Sequence, residues 1–391
     1  MKTRRITSLI PAVVFCACLF ILSACGKGAP EKKYAKLTGT IDGISKYGNV
    51  VLTVSKAEMA EKGYEYGDTV TVSFADKSLD IPYCSNYSDV DSGLTGLFGK
   101  TDSETLILAV NMGNFASDYG IADKASKDGD SFEWVYRGGM SAETAFEISM
   151  KEKKGYYDQY VIRQLAYTDE RGDYPALSDA EFANFRAVGT TGIKPNTLFR
   201  SSSPVDPEWA RSAYADAAAR ENGVSVIIDL ADDEASLAAY EGYGKSCFAS
   251  AKHIALNMGV NYTEADFMEK LKEGLVFIAE NEGVYLIHCK EGKNRTGFVV
   301  ALLEFLMGAD YSEAEADYML TYQNFYGISK GDEKYGIIAS TNFEQMLKRV
   351  FAVDDVKNAA LDKLAEEYIK SLGMTDAEIA ALKAHLLNRP D

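Results

Sequence analysis

His288-Cys289-Lys290-Glu291-Gly292-Lys293-Asn294-Arg295-Thr296-Gly297 is the stretch that decides how this chain reads. It leaves a short apolar run at 284–287 and enters a longer one at 298–307, so it reads as a loop joining a buried strand to a helix. A short loop there can turn its N–H groups inward. They then converge with the positive end of the helix dipole and form an anion cradle. Gly292 and Gly297 permit the backbone angles and close approach this needs. Arg295 supplies a planar fork that matches two phosphate oxygens. The same field stabilises a thiolate at Cys289, and a thiolate facing a bound phosphate is a poised nucleophile. Thr296 is placed to donate a hydrogen bond to the departing sulfur. His288 is expected to fix the loop through hydrogen bonds.

The motif resembles that of the Cys-dependent protein tyrosine and dual-specificity phosphatases: His-Cys, five residues, then Arg. More narrowly it is similar to the bacterial secreted tyrosine- and lipid-phosphatase family, whose loop reads His-Cys-x-x-Gly-Lys-Asp-Arg-Thr-Gly. Leu198-Phe199-Arg200-Ser201, Val226-Ile227-Ile228-Asp229-Leu230 and Asp317-Tyr318-Met319-Leu320 extend the likeness over about residues 197–387. The resemblance implies an α/β fold with a central, mostly parallel sheet flanked by helices. It implies Cys289, Arg295 and Thr296 as catalytic residues. His288, Lys290, Glu291, Gly292, Lys293, Asn294 and Gly297 are then the substrate-binding set. The implied reaction forms a phosphocysteine that water hydrolyses, with no metal and no cofactor. Lys290 and Lys293 in one loop suit a substrate carrying several phosphates, such as an inositol phosphate or phosphoinositide head group, beside phosphotyrosine.

One loop position departs from the family. Where relatives have an Asp, this chain has Asn294, which cannot be a general acid. The acid is left among Asp232, Asp233 and Asp266, the last read mainly as a helix cap. A catalytically weak phosphate- or inositol-phosphate-binding module is therefore the alternative. A rhodanese-type sulfur transferase ranks last, since its loop usually has four residues between Cys and Arg. Arg200, followed by three Ser, reads either as a phosphate contact or as part of an exposed loop. His253 and His385 read as core or surface residues.

The chain has 391 residues, 41 Lys+Arg and 58 Asp+Glu, a net charge of -17. That composition is globular, and its sign makes nucleic acid an unsuitable partner. Lys2, Arg4 and Arg5 precede an uncharged apolar run at 9–22 and then Ser23-Ala24-Cys25, which reads as a signal peptide. Leu22-Ser23-Ala24-Cys25 resembles a bacterial lipobox. That implies cleavage after residue 24, lipid on Cys25 and an extracytoplasmic, membrane-anchored protein whose only membrane contact is the lipid. Removing the three cations leaves -20. Cys84 and Cys247 read as buried small hydrophobes. The expected division is signal 1–24, tether 25–36, small β-barrel 37–125, charged linker 122–130 and phosphatase domain 131–391.

Short strands at 50–54, 69–74 and 105–110 carry the barrel reading. Tyr47-Gly48-Asn49-Val50, Leu79-Asp80-Ile81-Pro82-Tyr83-Cys84 and Ala109-Val110-Asn111-Met112-Gly113-Asn114-Phe115 resemble the C-terminal β-barrel of the S-adenosylmethionine fluorinase and hydroxide-adenosyltransferase family. Catalysis in that family needs a domain preceding the barrel. The expectation here is a scaffold or ligand-holding module. Further on, helices are expected at 207–222 with Asp206 as cap, at 263–280 with Thr263 and Asp266 as a capping box, and at 356–372.

Overall fold

The computed structural model describes residues 34–127 and 131–388. The expected signal peptide, Cys25 and most of the tether lie outside the described residues. Ten strands come first: β1 (Leu37–Gly39), β2 (Ile41–Ile44), β3 (Val50–Ser55), β4 (Thr69–Phe74), β5 (Lys77–Cys84), β6 (Thr95–Phe98), β7 (Thr105–Val110), β8 (Ala122–Ser126), β9 (Phe132–Tyr136) and β10 (Phe146–Glu152). Eight of them form one sheet in the order β1-β10-β4-β5-β6-β7-β3-β2. Its two outer strands, β1 and β2, are separated in sequence by Thr40 alone, so the ends of the sheet must meet. The Thr53 N–H donates to the Thr40 carbonyl at 2.9 Å across that seam. This near-closure reduces the unpaired edges that an open sheet would expose. Along β4 every second side chain is buried, which fills the barrel with Val70, Val72 and Phe74.

Two boundaries differ from the sequence reading. The barrel does not end near residue 125, because β10 is inserted between β1 and β4. The expected linker at 122–130 is in part the strand β8, paired with β9 in a hairpin. Trp134 and Tyr136 pack against the barrel core, and their apolar surface holds the hairpin there.

The second unit is built on five strands, β11 (Arg186–Ala187), β12 (Leu198–Ser201), β13 (Val226–Asp229), β14 (Lys252–Ala255) and β15 (Tyr285–His288). Their order is β11-β12-β15-β13-β14, parallel except for β11. Each central strand is buried along its whole length, as expected for a sheet covered on both faces. This is an α/β unit preceded by a small β-barrel. The helix Asn294–Met307 is apolar on all sides and almost wholly buried.

Helix starts shift from the sequence reading for local reasons. The first runs Ser212–Glu221, because Asp206 accepts the Glu208 N–H in a separate turn. The second is Ala265–Glu280, and Thr263 spends its hydroxyl on Asn261, so no capping box forms. A short turn at Val356–Asn358 precedes the helix Leu361–Ser371. Thr375 and Glu378 do form a capping box ahead of Asp376–Leu386.

Candidate active site

Strand β15 lies between β12 and β13, and the chain reaches it last of the three. In an open parallel sheet the carboxyl ends of strands at such a reversal are where ligands bind. Cys289 is the first residue beyond β15 and only 3% exposed. The loop then passes through Gly292, at φ +69°, into the Asn294–Met307 helix. A side chain at Gly292 would meet the Ser201 carbonyl at 2.2 Å, so glycine is required on both counts.

Three successive loop carbonyls are held by the surrounding fold. Lys290 O accepts from the Ser203 N–H at 3.0 Å. Glu291 O accepts from Asn184 Nδ2 at 3.1 Å, and Gly292 O from Arg200 at 2.9 Å. A peptide N–H points opposite to its carbonyl. The amides of residues 290–295 accordingly donate to no carbonyl among the described residues and are left for an anion at the helix N-terminus. Behind the loop, Asp317 accepts from both Arg186 and Arg200 and buries the two charges as a paired network. Arg200 thus resolves as a fully buried brace, neither a phosphate contact nor an exposed loop residue.

The charges of the loop are unequal. Lys293 bridges Glu291 at 2.8 Å and the Tyr326 hydroxyl at 2.9 Å. Burial works against its charge, yet Tyr326 and Glu291 raise the ammonium above its ordinary range. Glu291 also accepts from the Tyr167 hydroxyl at 2.7 Å. Lys290 lies 3.6 Å from Asp206 and over the Trp209 ring. Both lysines are therefore partly neutralised. Arg295 donates to the neutral carbonyls of Leu230 and Met258, at 3.0 Å each, and has no ion pair among the described residues.

Thr296 is buried and its hydroxyl has no partner among the described residues. Asn294 is exposed at the helix start. Gly297 admits Tyr318, which a Cβ would meet at 2.6 Å. His288 departs from expectation. Neither ring nitrogen makes a well-formed hydrogen bond, and the ring packs edge-on against Phe248. Burial pushes its pKa down to about 4, so it is neutral at physiological pH. Nearby, burial pushes Asp229 up to about 6.

Among the three acid candidates, geometry separates the roles. Asp233 caps the helix Glu234–Ala239 through the Ser236 N–H. Asp266 is exposed and paired with Lys270 at 3.1 Å. Asp232 is partly buried in the loop whose Leu230 carbonyl anchors Arg295. Burial and the Asp229 charge push its carboxyl up. Sequence reading missed the braces Asn184, Arg186 and Asp317 as site residues. Among the described residues no cluster of His, Cys, Asp and Glu is arranged to hold a metal.

A family model described as the tyrosine phosphatase family matches residues 180–388, more than half of the chain. The chain belongs to the tyrosine phosphatase family. Residues 39–126 match the S-adenosylmethionine hydroxide adenosyltransferase C-terminal domain. No curated protein matches the chain. Among solved structures, P. aeruginosa TpbA in complex with pTyr is 20% identical, with 49% of this chain and 93% of that one covered and a TM-score of 0.30. The core catalytic domain of the PP-IP phosphatase SIW14 from S. cerevisiae, in complex with citrate, is 18% identical, with 43% and 91% covered and a TM-score of 0.26. An uncharacterized conserved protein from Thermotoga maritima is 19% identical over 30% of this chain, with a TM-score of 0.23, and the match spans 39% of its length.

Proposed function

We propose that this protein is an exported, lipid-anchored phosphatase that hydrolyses phosphate monoesters through a phosphocysteine on Cys289. The observation that carries the reading is the loop itself. Its carbonyls are held from outside, its free amides face a helix N-terminus, Cys289 stands at the strand end, and Arg295 keeps an unpaired charge. In this reading Arg295 and the amides hold three phosphate oxygens while the Cys289 sulfur attacks phosphorus and the ester oxygen leaves. Thr296 hydrogen-bonds the sulfur as water later displaces it. The substrates are phosphotyrosine or inositol phosphate and phosphoinositide esters. A panel of phosphotyrosine peptide, phosphoinositide and inositol hexakisphosphate, read as phosphate release, tests the class. Tight binding with no turnover on any of them would favour a binding module instead, the reading that Asn294 motivates.

Asp232 is the general acid in this proposal: it stands in the loop whose Leu230 carbonyl anchors Arg295, and burial and the Asp229 charge raise its carboxyl above the ordinary range. Asp232→Asn is expected to lower kcat about 100-fold on an alkyl phosphate. An acid must be protonated to act, so wild-type activity falls as pH rises through its pKa, and this alkaline limb disappears in the variant. An unchanged limb would assign the acid elsewhere. For location, Cys25→Ser in the full chain is expected to shift the protein out of the membrane fraction of a bacterial host. Retention there would contradict the lipid anchor.

A further inference from the structure

Beside the loop lies a cleft of about 490 Å³ that shares Lys293 and Asn294 with it. Its walls are the rings of Tyr262, Tyr322 and Tyr326, and its rim carries Asn342 and Arg349. Ile162 and Leu165, from the segment that follows the barrel, close one side. The volume suits a small-molecule group of one or two rings. The cleft and the loop share Lys293 and Asn294, so a phosphate held in the loop directs the rest of its ester toward these tyrosines.

The charge of the cleft is opposite to that of the protein. The chain carries 58 acidic residues, yet none lines this cleft, which has two cations. One of them, Lys293, is already bound to Glu291 and Tyr326. Arg349 is exposed and has no ion pair or hydrogen bond among the described residues, whereas the adjacent Lys348 is paired with Glu344 at 2.8 Å. The wall between them is fixed, since Asn342 donates to the Tyr322 hydroxyl at 2.8 Å. A fixed polar wall with an uncommitted guanidinium at its rim is built for a second anion. We propose that the cleft receives the leaving group of the substrate and that Arg349 binds a second anionic group on it, selecting esters with two acidic groups over simple monoesters.

This specificity rests on the phosphatase reading of the loop, and one experiment separates the two. Phenyl phosphate and benzene-1,3-diyl bisphosphate are compared as substrates of the wild type, Arg349→Gln and Arg349→Lys. The wild type should prefer the bisphosphate by about tenfold or more, mainly through KM. Arg349→Gln should remove that preference and leave phenyl phosphate within about twofold, and Arg349→Lys should restore part of it. An unchanged preference in Arg349→Gln, with phenyl phosphate still hydrolysed, overturns the inference and leaves the phosphatase reading standing. Should neither ester be hydrolysed, the phosphatase reading fails. Calorimetric binding of the bisphosphate then decides the subsite: weaker binding in Arg349→Gln supports it, and equal binding rejects it.

Discussion

Cys289→Ser is expected to lower phosphate release by about 10⁴-fold or more while the fold and phosphate binding persist. The exchange replaces one buried atom by a smaller one of similar shape, so the strand and helix on either side have no reason to move. A serine hydroxyl at the same place is a far weaker nucleophile than the sulfur it replaces. Steady-state kinetics on phenyl phosphate and a thermal unfolding midpoint would check both halves. Activity within about tenfold of wild type would remove Cys289 from the chemistry. An unfolded variant would be replaced by Cys289→Ala, for which the same loss is expected.

Asp317→Ala is expected to cost about 3–5 kcal/mol of stability, because it leaves Arg186 and Arg200 buried without their shared counter-charge. Arg200 also holds the Gly292 carbonyl, so the loop loses its floor and kcat/KM should fall about 100-fold in the molecules that remain folded. Chemical denaturation and single-turnover assays measure the two effects separately. The pH dependence gives a further check. Against the cost of burial, Arg186 and Arg200 hold the Asp317 carboxyl below its ordinary range. Its contribution is thus complete above the unfolded carboxylate pKa and is lost as pH falls through the folded value. The variant should lack that acid-side loss. A variant as stable as wild type would show that the network is not what supports the loop.

The loop was legible because its chemistry is contiguous. Cys289, Gly292, Arg295 and Thr296 lie within eight positions, and strand and helix patterns flank them directly. The braces were not, because they act over long sequence distances. Arg186 lies 131 positions from Asp317, and Arg200 lies 117. One signal was present: Asp317, the last of the three acids in the Tyr311–Tyr326 helix, is followed directly by Tyr318, Met319 and Leu320. The lysines were read as added positive charge. Their partners differ in reach, since Glu291 is within the loop itself while Asp206 is far along the chain. The barrel was recognised by its short strands, but β10 was not. It returns to the sheet only after a separate hairpin, although Phe146, Ile148 and Met150 alternate with Glu147, Ser149 and Lys151 as a half-buried strand does. The helix starts were misplaced where Asp206 and Thr263 serve local turns in place of caps.

Rapid mixing of the full chain with phenyl phosphate, acid quench within the first turnover and mass analysis of the Cys289 peptide test the central claim most directly. The account predicts one phosphoryl group on Cys289 in the wild type and none in Cys289→Ser. Sustained turnover with no phosphoryl group on Cys289 at any quench time would contradict it.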